Sequence, residues 1–413
     1  MKRYKTYKDS GVFWDKSIPM EWNIVKLKNI LTKLNRQKPE NAELLICSNK
    51  GNVFKRGDSK LGLVAADNSI YQGVANGDLL IHGMDTWHGA IAISYLDGMC
   101  TTVVHVCDSN QNKKFIAYYL RHMAFSKVFK LISNGVRQNT SDFRSWDKVG
   151  NIPIPLPPLS EQAAIVTYLD AKCSKIDFVI ESKAKEIELL KELKQSVIAD
   201  AVTHGINPNQ PLKNSNIPWI GEIPQHWEVK KIRDCFSERR VKVSDKYYQP
   251  LSVSKIGITK QLETAVKTDN GDNRKLVCEG DFVVNSRSDR KGACGISKLT
   301  GSVSLINIVL KPRVPFGGYF HYLFRSNDYI EEFYKQGRGI VSDLWTTRYS
   351  EMRNISFPLP PLSEQQSIVS YLDTKCAKID ATIAKLQTEI DHFKEYKQRL
   401  ISDVVTGQIN VNE

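Results

Sequence analysis

The chain has 413 residues, of which 41% are hydrophobic and 25% charged, and its net charge is +13. This length allows two or three domains with their own cores, and the composition argues against an intrinsically disordered protein. No apolar run reaches the roughly 18 residues of a membrane span, and no apolar stretch follows the basic N-terminus as in a signal peptide, so we expect a cytoplasmic protein with no membrane partner.

Residues 1–154 predict a basic module of mixed helices and strands. They hold 22 basic and 13 acidic side chains. Alternating and β-branched residues predict strands at Leu79–His82 and Thr101–Val106, and a helix is expected over Phe115–Ile132. The excess of positive charge indicates a polyanion-binding surface, and a basic surface without a ligand is the alternative.

Residues 155–206 predict one long amphipathic helix. A stiff Pro-Leu-Pro-Pro lead-in comes first, and Ser160 then occupies the expected N-cap position. Apolar residues from Ile165 to Ala201 recur at spacings of three and four, which is typical of a helix with one apolar stripe. Gly205 is the expected stop signal.

Residues 207–357 predict a second basic module after a polar, proline-containing linker at 207–218. Residues 211–357 hold 24 basic and 16 acidic side chains. Gly280 is expected to form a turn into a strand, Gly301 a second turn into another strand, and a helix is predicted over Gly318–Gln336.

Residues 358–413 predict a second long helix that repeats the first. Residues 155–177 and 358–380 are identical at 18 of 23 positions. Ser363 is the expected N-cap, Gln366 completes a capping box, and Gly407 is the stop signal. The modules repeat more faintly, so the chain is a duplication in which the helices have been retained and the modules have diverged.

Two such helices have long apolar stripes, and burying these stripes removes a large apolar surface from water. Pairing with each other would bury both stripes, whereas the alternative is that each helix packs on its own module. The sequence therefore predicts an α+β fold: two α/β modules separated by two long α-helices that pair as an antiparallel coiled coil.

The motifs of the repeat resemble the specificity subunits of Type I restriction-modification systems. The resemblance covers essentially the whole chain and rests on Pro-Leu-Pro-Pro-Leu-Ser-Glu-Gln at 155–162 and 358–365, Tyr-Leu-Asp at 168–170 and 371–373, Ile-Pro-x-x-Trp at 18–22 and 223–227, and the opening segment 7–12.

This resemblance implies two target recognition domains, 1–154 and 207–357, and two conserved helical spacers, 155–206 and 358–413. Each domain would read one half of a bipartite, asymmetric site on double-stranded DNA, and the helices would set the unread gap and dock two modification subunits. S-adenosylmethionine, ATP and Mg would be bound by the modification and restriction subunits, so no cofactor and no catalytic residue is expected in this chain.

Missing motifs agree with a non-catalytic subunit. The sequence has neither the Asn-Pro-Pro-aromatic run of adenine methylation nor a Gly-x-x-x-x-Gly-Lys-Ser/Thr phosphate loop. The alternative function is a stand-alone regulator with two tandem DNA-binding domains and no partner subunits.

Candidate DNA-binding residues lie where the two modules differ between matching flanks. Arginine suits guanine, asparagine suits adenine, and phosphate contacts usually outnumber base contacts. No metal site is expected, because His105, His122, Cys100 and Cys107 are better explained by packing. The candidates are His82, Trp87, His88, Asn134, Arg137, Gln138 and Asn139 in the first module, and Asn285, Arg287, Arg290, Lys291, Arg338 and Arg348 in the second.

Overall fold

A computed structural model describes residues 2–57, 70–133, 143–261, 271–315, 318–339 and 345–412. The chain forms two compact units. Unit 1 comprises Met1–Ala184 and Thr388–Glu413, and unit 2 comprises Lys185–Gln387. Each unit therefore contains one module, the first part of the helix that follows it, and the last part of the other long helix.

Unit 1 is built around an antiparallel four-stranded sheet with the strand order β4-β11-β8-β9. Helix α1 packs its apolar face on this sheet, and Asn112 caps its start by accepting from the N–H groups of Lys114 and Phe115. The elements of the module are β1 (Tyr7–Asp9), β2 (Ser17–Pro19), β3 (Asn23–Lys26), β4 (Thr32–Lys33), β5 (Leu45–Cys47), β6 (Val53–Lys55), β7 (Tyr71–Val74), β8 (Leu79–His82), β9 (Ile91–Ile93), β10 (Gly98–Thr101), β11 (Val104–Asp108), α1 (Lys113–Phe125), α2 (Val128–Ile132), α3 (Trp146–Gly150) and β12 (Pro153–Leu156).

The long helix α4 (Leu159–His204) starts in unit 1 and ends in unit 2. Unit 2 repeats the topology of unit 1, with a four-stranded antiparallel sheet in the order β16-β24-β21-β22. Its elements are β13 (Leu212–Asn214), β14 (Glu222–Pro224), β15 (Glu228–Lys231), α5 (Ile232–Cys235), β16 (Phe236–Glu238), β17 (Lys242–Val243), β18 (Leu251–Ser254), β19 (Gly257–Lys260), β20 (Arg274–Val277), β21 (Phe282–Asn285), β22 (Cys294–Ile296), β23 (Gly301–Val303), β24 (Asn307–Pro312), α6 (Tyr319–Leu323), α7 (Asn327–Lys335), α8 (Tyr349–Met352) and β25 (Ser356–Leu359). The second long helix is α9 (Leu362–Val405).

Several expected boundaries in the modules were wrong. The strand expected at Thr101–Val106 is two strands, β10 and β11, with a turn between them, and Gly301 begins strand β23 instead of forming a turn. The helix expected over Phe115–Ile132 is broken because Lys127 has a left-handed backbone (φ 62°). The helix expected over Gly318–Gln336 is broken where Ser326 caps the start of α7.

The two long helices pair antiparallel, as the sequence predicted. In unit 1, Lys397 Nζ lies 2.6 Å from both carboxylate oxygens of Asp177, and Lys183 Nζ lies 2.5 Å from Glu389 Oε2. Residue numbers rise along α4 while those of the partners on α9 fall, which defines the direction. In unit 2, Lys194 Nζ lies 2.7 Å from both carboxylate oxygens of Asp380.

The alternative, that each helix packs on its own module, is also correct in part. In unit 1 the core of the module contains both Ile165 and Leu169 from the start of α4 and Leu400 and Val404 from the end of α9. The core of unit 2 likewise contains residues from the end of α4 and from the start of α9. Each helix therefore uses its apolar stripe for its own module and for the opposite helix.

The expected N-caps at Ser160 and Ser363 were wrong by two residues. The helices begin at Leu159 and Leu362, and the carbonyl of Pro158 accepts the first helical bond from the N–H of Gln162 (3.0 Å). Proline suits this position because the first N–H groups of a helix have no partner within the helix, and proline has no N–H group to leave unpaired. The expected capping box with Gln366 is therefore absent, and the glutamines that matter are Gln162 and Gln365. Their buried Nε2 groups donate to the carbonyls of Pro157 (2.8 Å) and Pro360 (2.9 Å).

The Ile-Pro-x-x-Trp motif packs against the helix starts. Trp227 is fully buried and its Nε1 donates to Glu364 Oε2 (3.0 Å) in the first turn of α9. Trp22 is equally buried, and Tyr4 takes the place of the indole as donor to Glu161 in the first turn of α4. In each unit the proline lead-in, the buried glutamine, the Ile-Pro-x-x-Trp motif and the glycine that follows the end of the other long helix lie together. We call this group the helix-start cluster.

Among the described residues, no helix is both long and apolar enough to cross a membrane.

We predict that a half chain, residues 1–206, forms a homodimer. Without α9 its core lacks Ile401, Val404 and Val405, but a second copy carries the matching residues Ile198, Ala201 and Val202 at the end of its own α4. Light scattering should give twice the mass of the half chain.

The matched control for this prediction is the half chain with Val202→Asp, which places a carboxylate at a position that is fully buried in unit 2. It should not dimerise. A folded monomer of the unmodified half chain, with Trp22 shielded from quenchers, would contradict the prediction.

Candidate nucleic-acid interface

The first candidate segment of module 1 follows strand β8 and turns partly inward. His82 ends the strand, its Nδ1 accepts from the N–H of Asp85 (3.1 Å), and only 22% of its side chain is exposed. Burial lowers the pKa of His82 below its ordinary value, so the ring is neutral at pH 7. The burial and hydrogen bond of His82 favour a role in holding the conformation of the segment that follows β8.

Trp87 and His88 occupy a short 3₁₀ turn, Thr86–His88, that ends at Gly89 with a left-handed backbone (φ 79°). The Trp87 ring is half-buried against the core of unit 1, and its indole nitrogen lies inside the protein. His88 is exposed. Of the three candidates in this segment, His88 is therefore the one that faces solvent.

The matching segment of module 2 is basic and held by local ion pairs. Asn285 ends strand β21, and its Oδ1 accepts from the N–H of Arg287 (3.1 Å). Asp289 lies between two arginines, with Arg287 Nε at 2.8 Å and Arg290 Nε at 3.6 Å. Lys291 Nζ lies 2.8 Å from Glu331 Oε1.

These ion pairs leave the cations available to a ligand. All of the partners are at the surface, and an exposed pair typically contributes 0–1 kcal/mol. Losing so weak a pair costs little, so a guanine that offers a bidentate contact can take the place of Asp289. The segment can therefore present guanidinium groups without leaving them unordered in the free protein.

The two candidate segments of module 2 meet. Arg338 and Thr346 exchange backbone hydrogen bonds of 3.1 and 3.2 Å, and Thr346 also bridges to Arg287. The N–H of Thr347 donates to the carbonyl of Ser286 (3.0 Å). Arg338 has an exposed side chain, with its Nε 4.0 Å from Glu351 Oε1, and Arg348 is exposed where helix α8 begins.

Module 1 has the same connection at the matching position. The N–H of Phe143 donates to the carbonyl of Gly83 (3.1 Å), directly after His82. Asn134, Arg137, Gln138 and Asn139 lie outside the described residues. Their placement at the DNA-binding surface stays a prediction.

Sequence reasoning missed Trp345. It is 37% exposed, and its carbonyl accepts from the N–H of Ser288 (2.9 Å), which places it beside the arginine segment. An exposed indole next to arginines suits stacking on a base or sugar. The available signal was an aromatic residue between Arg338 and Arg348.

The residues considered for a metal site are used for packing and hydrogen bonding. His105 Nε2 lies 2.7 Å from the carbonyl of Phe143, and His122 Nε2 lies 3.7 Å from Asp15 Oδ1. Cys100 and Cys107 are buried, and burial raises the pKa of both thiols to about 12. Within the described ranges no group of three or more His, Cys, Asp or Glu side chains could hold a metal ion.

The duplicated modules match a known family in both halves of the chain. The family described as Type I restriction modification DNA specificity domain matches residues 19–189 and again residues 224–392. The chain belongs to this family. The function expected from the resemblance, a specificity subunit of a Type I restriction-modification system, is confirmed, and nothing in the comparisons supports the stand-alone regulator.

Similar proteins carry the same description. The chain is 26% identical to a putative type I restriction enzyme specificity subunit, MjaX, of Methanocaldococcus jannaschii, over 95% of both chains. It is 25% identical to the MjaVIII specificity subunit of the same organism over 63% of both. A structure solved in work on the assembly and conformational transition of the type I R-M system shares the fold, with a TM-score of 0.70 at 16% identity, over 95% of this chain and 99% of that one.

We predict that Arg287→Ala relaxes recognition at one base position in one half of the DNA site. The loss of a bidentate contact should weaken discrimination there by about 1–3 kcal/mol and leave the other half unchanged. Methylome sequencing of cells that carry the variant system measures this directly.

Arg240→Ala is the matched control, because Arg240 is also exposed and paired with a carboxylate, Glu238, but lies outside both candidate segments. It should not alter the motif. An unchanged motif with Arg287→Ala would remove this residue from the candidates.

Proposed function

We propose that each module reads one half of a bipartite, asymmetric DNA site. The observation that carries this is the contrast between shared topology and unlike side chains. Strands β8 and β21 lead into equivalent segments, yet one carries His82 to His88 and the other Asn285 to Lys291. Two frames with one topology and different polar groups present different hydrogen-bond patterns to the major groove.

The paired helices set the length of the unread gap between the half-sites. Their starts are nearly identical, and their ion pairs fix an antiparallel register within each unit. A helix has a fixed rise of about 1.5 Å per residue, so a paired rod holds a constant separation. Recognition and spacing therefore belong to different parts of the chain.

Two modification subunits dock on the duplicated helix starts. Both copies carry the same lysine–tyrosine pair: the ammonium of Lys172 lies 5.7 Å from the centre of the half-buried Tyr168 ring, and that of Lys375 lies 5.7 Å from the centre of the exposed Tyr371 ring. A surface that occurs twice suits two copies of one partner. The modification and restriction subunits bring S-adenosylmethionine, ATP and Mg, and this chain supplies no catalytic group.

We predict that the chain, co-expressed with its modification subunit, purifies as an assembly with two modification subunits per specificity subunit. Methylome sequencing should give a motif of a few bases, a gap, and a few different bases, because the two modules are unlike. Native mass spectrometry measures the ratio. A continuous or palindromic motif would contradict the asymmetric site, and a chain that purifies alone would contradict the docking.

We also predict that lengthening both helices lengthens the gap. Four residues inserted after Ala184 and four after Gln387 lie between the two units, so no contact within a unit changes. The insertion adds about 6 Å and rotates each helix by about 40°. At about 3.4 Å per base step, the unread gap should grow by one or two base pairs while the bases read stay the same.

The control inserts the same four residues into the 207–211 segment, outside both helices, and should leave the gap unchanged. Affinity should fall with the helix insertion because DNA twist must absorb the rotation. An active complex with the original gap would show that the helices do not set the spacing.

A further inference from the structure

Each module carries a short β-hairpin with a lysine at its tip. In unit 1 strands β5 and β6 pair from Leu45–Lys55 to Cys47–Val53, and in unit 2 strands β18 and β19 pair from Leu251–Lys260 to Ser254–Gly257. Lys50 stands at the tip of the first hairpin and Lys255 at the tip of the second, and both are exposed. The hairpin sequences differ, yet the lysine is present in both.

The backbone of each hairpin packs against an arginine side chain. A Cβ atom at Gly51 would lie 1.8 Å from Arg121 Nη1, so the hairpin backbone rests directly on the guanidinium, which also lies over the Phe125 ring. Burial lowers the pKa of Arg121, and its Nε has no hydrogen-bond partner among the described residues. Close contact with a buried, planar group restricts the movement of the tip.

The same arrangement recurs in unit 2 with different bonds. Arg325 lies 3.6 Å from the position of a Cβ atom at Gly257, its Nη2 donates to the carbonyl of Cys294, and its Nη1 lies 2.9 Å from His321 Nε2. Burial, followed by the charge of Arg325, lowers the pKa of His321 to about 4, so the ring is neutral and accepts from the guanidinium. The support has thus been retained although its neighbours have changed.

Each hairpin lies beside the end of a candidate DNA-binding segment or the strand that follows it. In unit 1 a Cβ atom at Gly89, which ends the His82–His88 segment, would lie 3.5 Å from the carbonyl of Asn49. In unit 2 a Cβ atom at Gly295 would lie 3.3 Å from the Cα atom of Gly257. Gly295 is in β22, the strand that follows the Asn285–Lys291 segment.

The tip lysines differ electrostatically from the cations of the candidate segments. Arg287, Arg290 and Lys291 have carboxylate partners. Within the described part of the chain, neither Lys50 nor Lys255 forms an ion pair. An unpaired ammonium on a supported tip, beside a segment that reads bases, has the properties of a phosphate contact, which fixes register without reading sequence.

We propose that Lys50 and Lys255 contact the DNA backbone, one in each half-site, and that Arg121 and Arg325 are positioning residues that hold the tips in place. This inference rests on the proposed function. It adds a backbone contact from a second element of each module.

The test measures DNA affinity against salt for the full chain in complex with its modification subunits. The probe is a duplex that carries the motif found by methylome sequencing, and the comparison is an unrelated duplex of equal length. Lys50→Gln and Lys255→Gln should each reduce the magnitude of the slope of log affinity against log salt by about 1. Each should weaken the binding of both duplexes to the same extent. The methylated motif should not change.

The matched controls are Lys26→Gln in module 1 and Lys311→Gln in module 2, which remove exposed lysines outside the hairpins. Their slopes should equal that of the unmodified complex. Equal effects for all four lysines, or an unchanged slope for Lys50→Gln and Lys255→Gln, would overturn the inference. If the unmodified complex did not prefer its motif over the unrelated duplex, the proposed function itself would fail, which is a separate result.

The positioning role is tested with Arg121→Met. If Arg121 acts through the tip, this variant should also reduce the magnitude of the salt slope by about 1. The double variant Lys50→Gln/Arg121→Met should then reduce the slope by no more than either single substitution does. A loss of about 2 in the double variant would show that Arg121 contacts DNA itself. Thermal unfolding checks that the Arg121→Met variant remains folded. If that variant unfolds, Lys50→Gln still tests the backbone contact.

Discussion

The core of each unit includes the end of the other long helix, which covers the buried tryptophan of the module. Gly407, just beyond the end of α9, lies against Trp22, and Gly205, at the end of α4, lies against Trp227. A Cβ atom at either glycine would be 3.3 Å from the indole ring. Both glycines have a positive φ, of 73° and 79°, so the close approach and the helix stop depend on the same residue type.

This constraint explains which parts of the sequence have been retained between the halves. The proline lead-in, the buried glutamine, the Ile-Pro-x-x-Trp motif and the terminal glycine all belong to the helix-start cluster, so a change in one disturbs contacts with several elements. The hydrogen bonds of Gln162 and Gln365 to proline carbonyls illustrate this, because losing one would leave a buried acceptor unsatisfied. The segments after β8 and β21 lie outside this cluster and have diverged.

The sequence predicted the long helices and their direction of pairing because an apolar stripe of that length has few places to be buried. It failed at their first residues, where a proline carbonyl replaces the expected serine cap, and at Lys127, where a left-handed residue interrupts an otherwise helical pattern. Comparison of the two halves identified the candidate segments. It did not predict the orientation of Trp87, which depends on tertiary packing, or the pairing of Arg287 with Asp289. Side-chain partners across a fold leave no periodic signal in one sequence.

The charges of the paired helices and those of the modules are used differently. On the helices, Asp177 and Asp380 neutralise lysines of the opposite helix, so these charges stabilise pairing and add little to the external field. In the modules, basic residues outnumber acidic residues, so positive charge remains even when every acidic residue is counted as paired. The long-range field of this charge attracts polyanions, and salt screens it over about 8–10 Å. Because each helix-start cluster is complete within its own unit, a module can acquire new polar groups without altering the pairing of the helices in that unit.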